Sequence, residues 1–189
     1  MTTNMNPSTE QTKNTALPES MTALVQTAYG APHDVLELTT GETPEVGPGD
    51  VLTRVEATSV NTPDWAAVVG EPYILRLQFG LRGPASPLRG TDGAGVVVAV
   101  GRDVTDFAPG DAVFGSAAPN KTRKRVGAYA EYSVASAASL ARKPEFLTFE
   151  QAAASVMSGL TALITLRDAG EVVAGPRVLV TGASGGVGT

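Results

Sequence analysis

The feature that most constrains this 189-residue chain is its ending, RVLVTGASGGVGT, where a continuous apolar run passes directly into a glycine-rich loop. A run such as Val178 to Thr181, apolar on both faces, reads as a buried strand of a parallel sheet, which needs helices over either side. The loop has glycines at 182, 185, 186 and 188, departing from the common Gly-x-Gly-x-x-Gly order. Small residues there let backbone N–H groups approach a pyrophosphate, and a helix starting in the loop aims its positive end at the same anion. Ser184, Gly185, Gly186 and Val187 are therefore candidate cofactor-binding positions. A tight strand-to-helix turn without a ligand is the other reading of the same residues.

The sequence before residue 146 has a different texture. Short β-branched runs alternate with Gly and Pro: ALVQTAY, VLELTT, VLTRVEATSV, DGAGVVVAV, DAVFG, AYAEYSVA and SLARK. Strands of this length and spacing predict a compact antiparallel barrel. The 21 glycines exceed the usual share of about 7% and argue against a helical bundle. Two helical interruptions are expected. Asn61-Thr62-Pro63-Asp64 has the chemistry of a helix start, with Asn or Thr as cap, Pro in the first turn and Asp at the positive end of the dipole. A second short helix is expected between Pro72 and Leu81.

Near residue 146 the pattern changes to helical. Thr148 and Gln151 form a capping box ahead of QAAASVM, and SGLTALITLRDAG reads as a second helix ended by Gly170. The parallel strand at 178–181 would have unpaired edges with only these helices beside it, so the gene product is expected to be longer than this chain.

Composition removes several classes of function. There are no cysteines, so neither a disulfide framework nor a thiolate zinc site is available. A net charge of −5 argues against a nucleic-acid binder. The basic run Lys121 to Arg125 reads as a solvated hairpin tip, with phosphate or partner binding as the alternative. Residues 1–20 are polar and are expected to form a disordered tail without a secretory signal, Met1 and Met21 both being candidate starts. No apolar stretch is expected to reach the ~18 residues of a membrane span. A cytoplasmic protein is expected, with a small-molecule substrate and neither nucleic acid nor membrane as partner.

Several segments together, SVNTPDW, LRGTDGAGVVVAVGRDVTDFAPGDAVFG, GAYAEY, SGLTAL and VLVTGASGGVG, resemble the zinc-independent branch of the medium-chain dehydrogenase/reductase superfamily, the quinone oxidoreductase or zeta-crystallin-like group. The loop alone also resembles that of short-chain dehydrogenases. In those enzymes it lies near the beginning, whereas a β-rich domain precedes it here and no Tyr-x-x-x-Lys is present. The resemblance implies a mixed α/β protein: a GroES-like β-barrel catalytic domain at 21–145, followed at 146–189 by the truncated start of a Rossmann nucleotide-binding domain. It implies an active site between the two, an NADP or NAD cofactor with NADPH favoured, and a homodimer formed through the rest of the Rossmann domain. The implied activity is hydride transfer to quinones, enones or related carbonyls. An enoyl reductase module of a larger synthase and a non-catalytic relative are the alternatives. The isolated piece is expected to lack productive cofactor binding.

Zinc members of the superfamily carry an early Cys and a Gly-His-Glu where this chain has Gly90-Thr91-Asp92, so no zinc is expected. The single histidine, His33, reads as a surface turn residue. Asn61 is the catalytic candidate: its amide N–H₂ could donate to the oxygen that gains charge in hydride transfer or to the cofactor, or its side chain could serve as a helix cap. The Tyr that quinone reductases place shortly after this Asn is Ala66 here, and Trp65 and Tyr73 are the nearby aromatics. Asp92 is expected to be paired inside or bonded to nearby backbone. Thr161 resembles a family position close to the nicotinamide, and a hydroxyl bonded to its own helix is the competing reading.

Overall fold

Alternating and doubly apolar runs produce the expected strands. The structure is a computed structural model that describes residues 17–117, 127–170, 172, 173, 175 and 177–189; most of the expected tail and the basic run 121–125 lie outside them. Strands β1 (Ser20–Gln26) and β2 (Leu36–Glu42) pair antiparallel, from Ser20 opposite Glu42 to Gln26 opposite Leu36. Between them a short helix, α1 (Pro32–Val35), carries His33 on the surface. Strands β3 (Asp50–Thr58), β4 (Asp92–Val100), β5 (Ala112–Ser116), β6 (Tyr132–Ser136) and β7 (Leu140–Arg142) form a second antiparallel sheet in the order β6-β3-β4-β5-β7. Bridges from Ala23 to Ala130 and from Val25 to Leu88 join the two sheets.

The β3–β4 pair slips register after Leu52 and again after Val55, and such bulges increase twist and curl the sheet toward closure. Consecutive residues of β3 face opposite ways and both sides are covered. Val51 packs with Val97 and Val113, while Leu52 packs with Val134, Val46 and Tyr132. Val51, Leu52, Val97 and Val113 are fully enclosed, and each contributes about 1.5–3 kcal/mol through burial. The barrel is thus filled by aliphatic side chains.

Helix α2 (Thr62–Val69) starts at Asn61 and stops at Gly70, whose left-handed backbone suits a helix end. The segment after Pro72 forms a 3₁₀ turn over Tyr73–Leu75 and the short helix α3 (Arg76–Phe79), as expected. Helix α4 (Phe149–Leu163) opens with the reciprocal Thr148–Gln151 box: the Gln151 N–H donates to Thr148 Oγ1 at 3.2 Å and Thr148 N–H to Gln151 Oε1 at 3.0 Å. Its small residues Ala152 and Ala153 press onto Ala94, Ala57 and Phe114, so the first half of α4 closes the barrel.

Two expectations need correction here. The helices separated near Met157 are one: α4 runs without a break into a π-helical turn over Ile164–Ala169, because Ser158 and Gly159 are tolerated inside a helix whose preceding turns are anchored by packing. The continuous segment Phe149–Ala169 is accordingly long and apolar enough to cross a membrane by length and composition, contrary to the expectation that no stretch would reach such a span. Its Ala152 and Ala153 are instead buried against the barrel. The second correction is at Val178 to Thr181, which is irregular, with Leu179 88% exposed. A parallel strand is held by ladder bonds to neighbouring strands, and among the described residues no strand lies beside it.

Candidate functional site

The barrel end next to α2 gathers a buried polar cluster. Pro63 fixes the first turn of α2, and Asn61 and Asp64 close its start reciprocally: Asp64 N–H donates to Asn61 O at 3.0 Å, and Asn61 N–H donates to Asp64 Oδ2 at 2.9 Å. The Asp64 carboxylate, 4% exposed, also accepts from Thr91 N–H at 3.0 Å and from the Thr91 hydroxyl at 3.4 Å. Position 91 is thereby pinned to the helix start.

Asp92 opens β4 and is 1% exposed. Three donors converge on its Oδ2: the Asn61 amide Nδ2 at 2.9 Å, Met157 N–H from α4 at 2.9 Å and the Ser59 hydroxyl at 3.3 Å. Its Oδ1 is buried with no hydrogen-bond partner. Burial raises the Asp92 pKa above the ordinary carboxylate value; the Met157, Asn61 and Ser59 donors pull it down, and the nearby Asp64 adds to the rise. The second hydrogen of the Asn61 amide goes to Ser59 Oγ at 3.1 Å. Both amide hydrogens of the catalytic candidate are therefore engaged inside the protein.

Tyr129 completes the cluster. Its hydroxyl donates to Ser59 O at 3.1 Å, and its ring lies so close to Gly90 that a Cβ there would stand 2.5 Å from it. Gly90 also holds a left-handed φ of 93°, so glycine is required at the turn that leads into Thr91 and Asp92. Burial first, then the charges of Asp64 and Asp92, push the Tyr129 phenol well above its usual pKa.

The glycine loop touches α4 at Ser158, the residue after Met157. Gly185 N–H donates to Gly182 O at 3.0 Å and Gly188 N–H to Gly185 O at 2.9 Å, giving consecutive turns. Among the described residues the loop forms turns and not the expected helix, with Thr189 N–H also donating to Gly185 O at 3.0 Å. Ser184, Gly185 and Gly186 are exposed, and Val187 is 48% exposed. A Cβ on Gly186 would stand 2.9 Å from Ser158 Oγ, so the loop rests on α4 at Ser158. Thr161, one turn on, is exposed and donates its hydroxyl to Met157 O at 2.7 Å, the internal bond considered as its competing reading.

The structure thus brings Asn61 and Asp92 together and sets the loop against the helix that Asp92 touches. Other candidates stand apart: Tyr73 is exposed with the Arg76 guanidinium 4.7 Å over its ring, Trp65 is 53% exposed, and His33 lies beside Asp34 at the surface. Ser59, Tyr129, Met157 and Ser158 were not singled out from the sequence, although SVN, GAYAEY and SGLTAL contain Ser59, Tyr129 and Ser158. No periodicity relates residue 92 to residue 157. Among the described residues no group of three or more His, Cys, Asp or Glu could hold a metal. An open cavity of about 710 Å³ between the β1–β2 pair and β6 is lined by Met21, Ala23, Val25, Leu88 and Val134 and includes none of the cluster residues.

Residues 47–145 match the alcohol dehydrogenase GroES-like domain family. The chain is 42% identical over 143 residues to the pikromycin polyketide synthase component PikAII of Streptomyces venezuelae, covering 76% of this chain and 3% of that protein. It is 37% identical over 161 residues to a quinone oxidoreductase of Pseudomonas aeruginosa, covering 85% of this chain and 45% of the relative. The solved quinone oxidoreductase of Coxiella burnetii superimposes with a TM-score of 0.74 at 36% identity, over 89% of this chain and 51% of that one. The chain therefore spans about half the length of the quinone oxidoreductases that it matches. Since that family model matches more than half of the sequence, the chain belongs to the alcohol dehydrogenase GroES-like domain family, and the relatives it resembles include quinone oxidoreductases.

Proposed function

We propose that this chain forms part of a cytoplasmic, zinc-independent, NAD(P)H-dependent oxidoreductase that reduces quinones, enones or related carbonyls, with NADPH as the favoured cofactor. One observation carries the reading: the Asn61–Asp92 cluster and the glycine loop meet on consecutive residues of α4, Met157 and Ser158. A nicotinamide dinucleotide seated there would supply the hydride. The chain's residues fit such a ligand. The loop from Ser184 to Val187 is exposed and glycine-rich, which suits the approach of a diphosphate even though the Gly185 N–H is bonded to Gly182 O, and the missing side chain of Gly186 lets the loop lie against α4. Thr91 stands where zinc relatives carry histidine and is occupied by its bonds to Asp64, which supports metal-free chemistry.

Asn61 enters this reading as a group that touches the ligand. Donation to a developing oxyanion would require release of a hydrogen now held by Ser59 or Asp92. Losing an oxyanion donor costs about 2.7–4 kcal/mol of barrier, whereas losing a neutral hydrogen bond costs about 0.5–1.5 kcal/mol. The held geometry favours the smaller loss for Asn61→Ala. The test, made on the full-length protein that carries this chain, is fluorescence titration with NADPH and NADH, followed by turnover with quinones and enones for wild type and Asn61→Ala. Failure to bind either cofactor overturns the proposal, and a loss of a hundredfold or more restores the oxyanion role.

A second reading, an enoyl reductase module of a larger synthase, is favoured by the similarity to the polyketide synthase component. Turnover of enoyl thioesters in place of free quinones would select it.

A further inference from the structure

We infer that Asp92 is a positioning residue for Asn61: with Ser59 it turns the Asn61 carboxamide nitrogen into the protein, so that Asn61 meets its ligand through its acceptor oxygen. The inference rests on the proposed oxidoreductase reading for the ligand's identity, a nicotinamide nucleotide, and on the geometry for the rest.

A carboxamide is planar, with two hydrogens on nitrogen and two lone pairs on oxygen. Both hydrogens of Asn61 are consumed, one by Ser59 Oγ at 3.1 Å and one by Asp92 Oδ2 at 2.9 Å. The Asp92 contact selects the flip. An ionised carboxylate only accepts, so the nitrogen of Asn61 must face it and the oxygen must face away. That oxygen faces away from Asp92, while the Asp64 N–H at the start of α2 goes to the Asn61 backbone carbonyl and leaves the side-chain oxygen a lone pair. Asn61 is half-buried, so this lone pair is open to a ligand that offers a donor, such as the carboxamide N–H₂ or a sugar hydroxyl of a nicotinamide nucleotide.

Asp92 is suited to the task by its own anchorage. The same Oδ2 accepts Met157 N–H from α4 and the Ser59 hydroxyl, while Thr58 Oγ1 donates to the Asp92 backbone carbonyl at 2.6 Å. The carboxylate is thus fixed by β3, the β3–α2 connection and α4 together. Among the described residues the bonds to its carboxylate all fall on Oδ2, the oxygen that faces Asn61, and none on the buried Oδ1.

The experiment is hydrogen exchange of the Asn61 side-chain amide, measured by NMR on the nitrogen-labelled chain without cofactor and assigned by its loss in Asn61→Ser. In the wild type both Nδ2 protons are expected to exchange at least about tenfold more slowly than a free carboxamide, as bonding to an anchored, charged acceptor implies. In Asp92→Ala the protection should be lost, and in Asp92→Asn, whose carbonyl oxygen can take the place of Oδ2, it should return. Unprotected Asn61 protons in the wild type, or protection unchanged in a folded Asp92→Ala, would overturn the inference. Should Asp92→Ala not fold, Ser59→Ala serves: release of one proton of the pair supports the inference, and an unchanged pair overturns it. Addition of NADPH separates the two readings. Absence of cofactor binding by the full-length protein counts against the proposed function alone, because exchange decides the role of Asp92 without any ligand.

Discussion

Replacing Asp92 by Asn tests the electrostatics of the cluster through stability. The substitution keeps the shape and leaves one carbonyl oxygen to receive Asn61, Met157 and Ser59, while it removes the charge. Two effects compete. Bonds to a charged acceptor are worth about 1.5–3 kcal/mol and neutral ones about 0.5–1.5 kcal/mol, so three bonds weaken by roughly 3 kcal/mol in sum. Against this, the ionised carboxylate is 1% exposed with one oxygen unpartnered, and its raised pKa means that desolvation outweighs the three donors. An acid with a raised folded pKa binds more protons folded than unfolded between the two values. Wild-type stability therefore falls, relative to the Asn variant, as pH rises from the unfolded value of about 3.9, by up to about 1.4 kcal/mol per pH unit. The difference levels off above the folded pKa. Urea melts of both proteins from pH 3.5 to pH 8, in steps of about half a unit, measure the difference. A gap that is flat, or that moves in favour of the wild type as pH rises, refutes the dominance of burial.

Three further outcomes are expected. Asp92→Ala strands the three donors and should destabilise by about 3 kcal/mol, at roughly 1 kcal/mol for each partly buried group, read from the same melts. Leu52→Ala, at a site 0% exposed between β3, β6 and Val46, should cost about 2–5 kcal/mol in a denaturant titration. Thr148→Ala removes the acceptor for Gln151 N–H and should lower stability by about 1 kcal/mol, with the loss of amide protection confined to the first turn of α4.

Much of the barrel was legible in the sequence because its signals are local. Alternation in DGAGVVVAV, the turns at Gly47-Pro48 and Pro109-Gly110, the Asn61–Asp64 helix start and the Thr148–Gln151 box each depend on residues within one turn or strand of one another, and each appears where expected. The absence of cysteine and the single exposed histidine are likewise matters of composition alone.

What tertiary structure decided has long sequence separation. The strand order β6-β3-β4-β5-β7 places residue 92 beside residues 59 and 61, and the packing of Ala152 and Ala153 onto Ala94 then carries Met157 N–H to the Asp92 carboxylate. Whether Asn61 donates or accepts toward a ligand depends on that carboxylate, 31 positions away, and cannot be read from Asn61 and its neighbours. The apolar run from Val178 to Thr181 shows the same division: its side chains mark it as a strand, but a strand is completed by the ladder bonds of neighbouring strands, and such partners are a property of the fold and not of the segment.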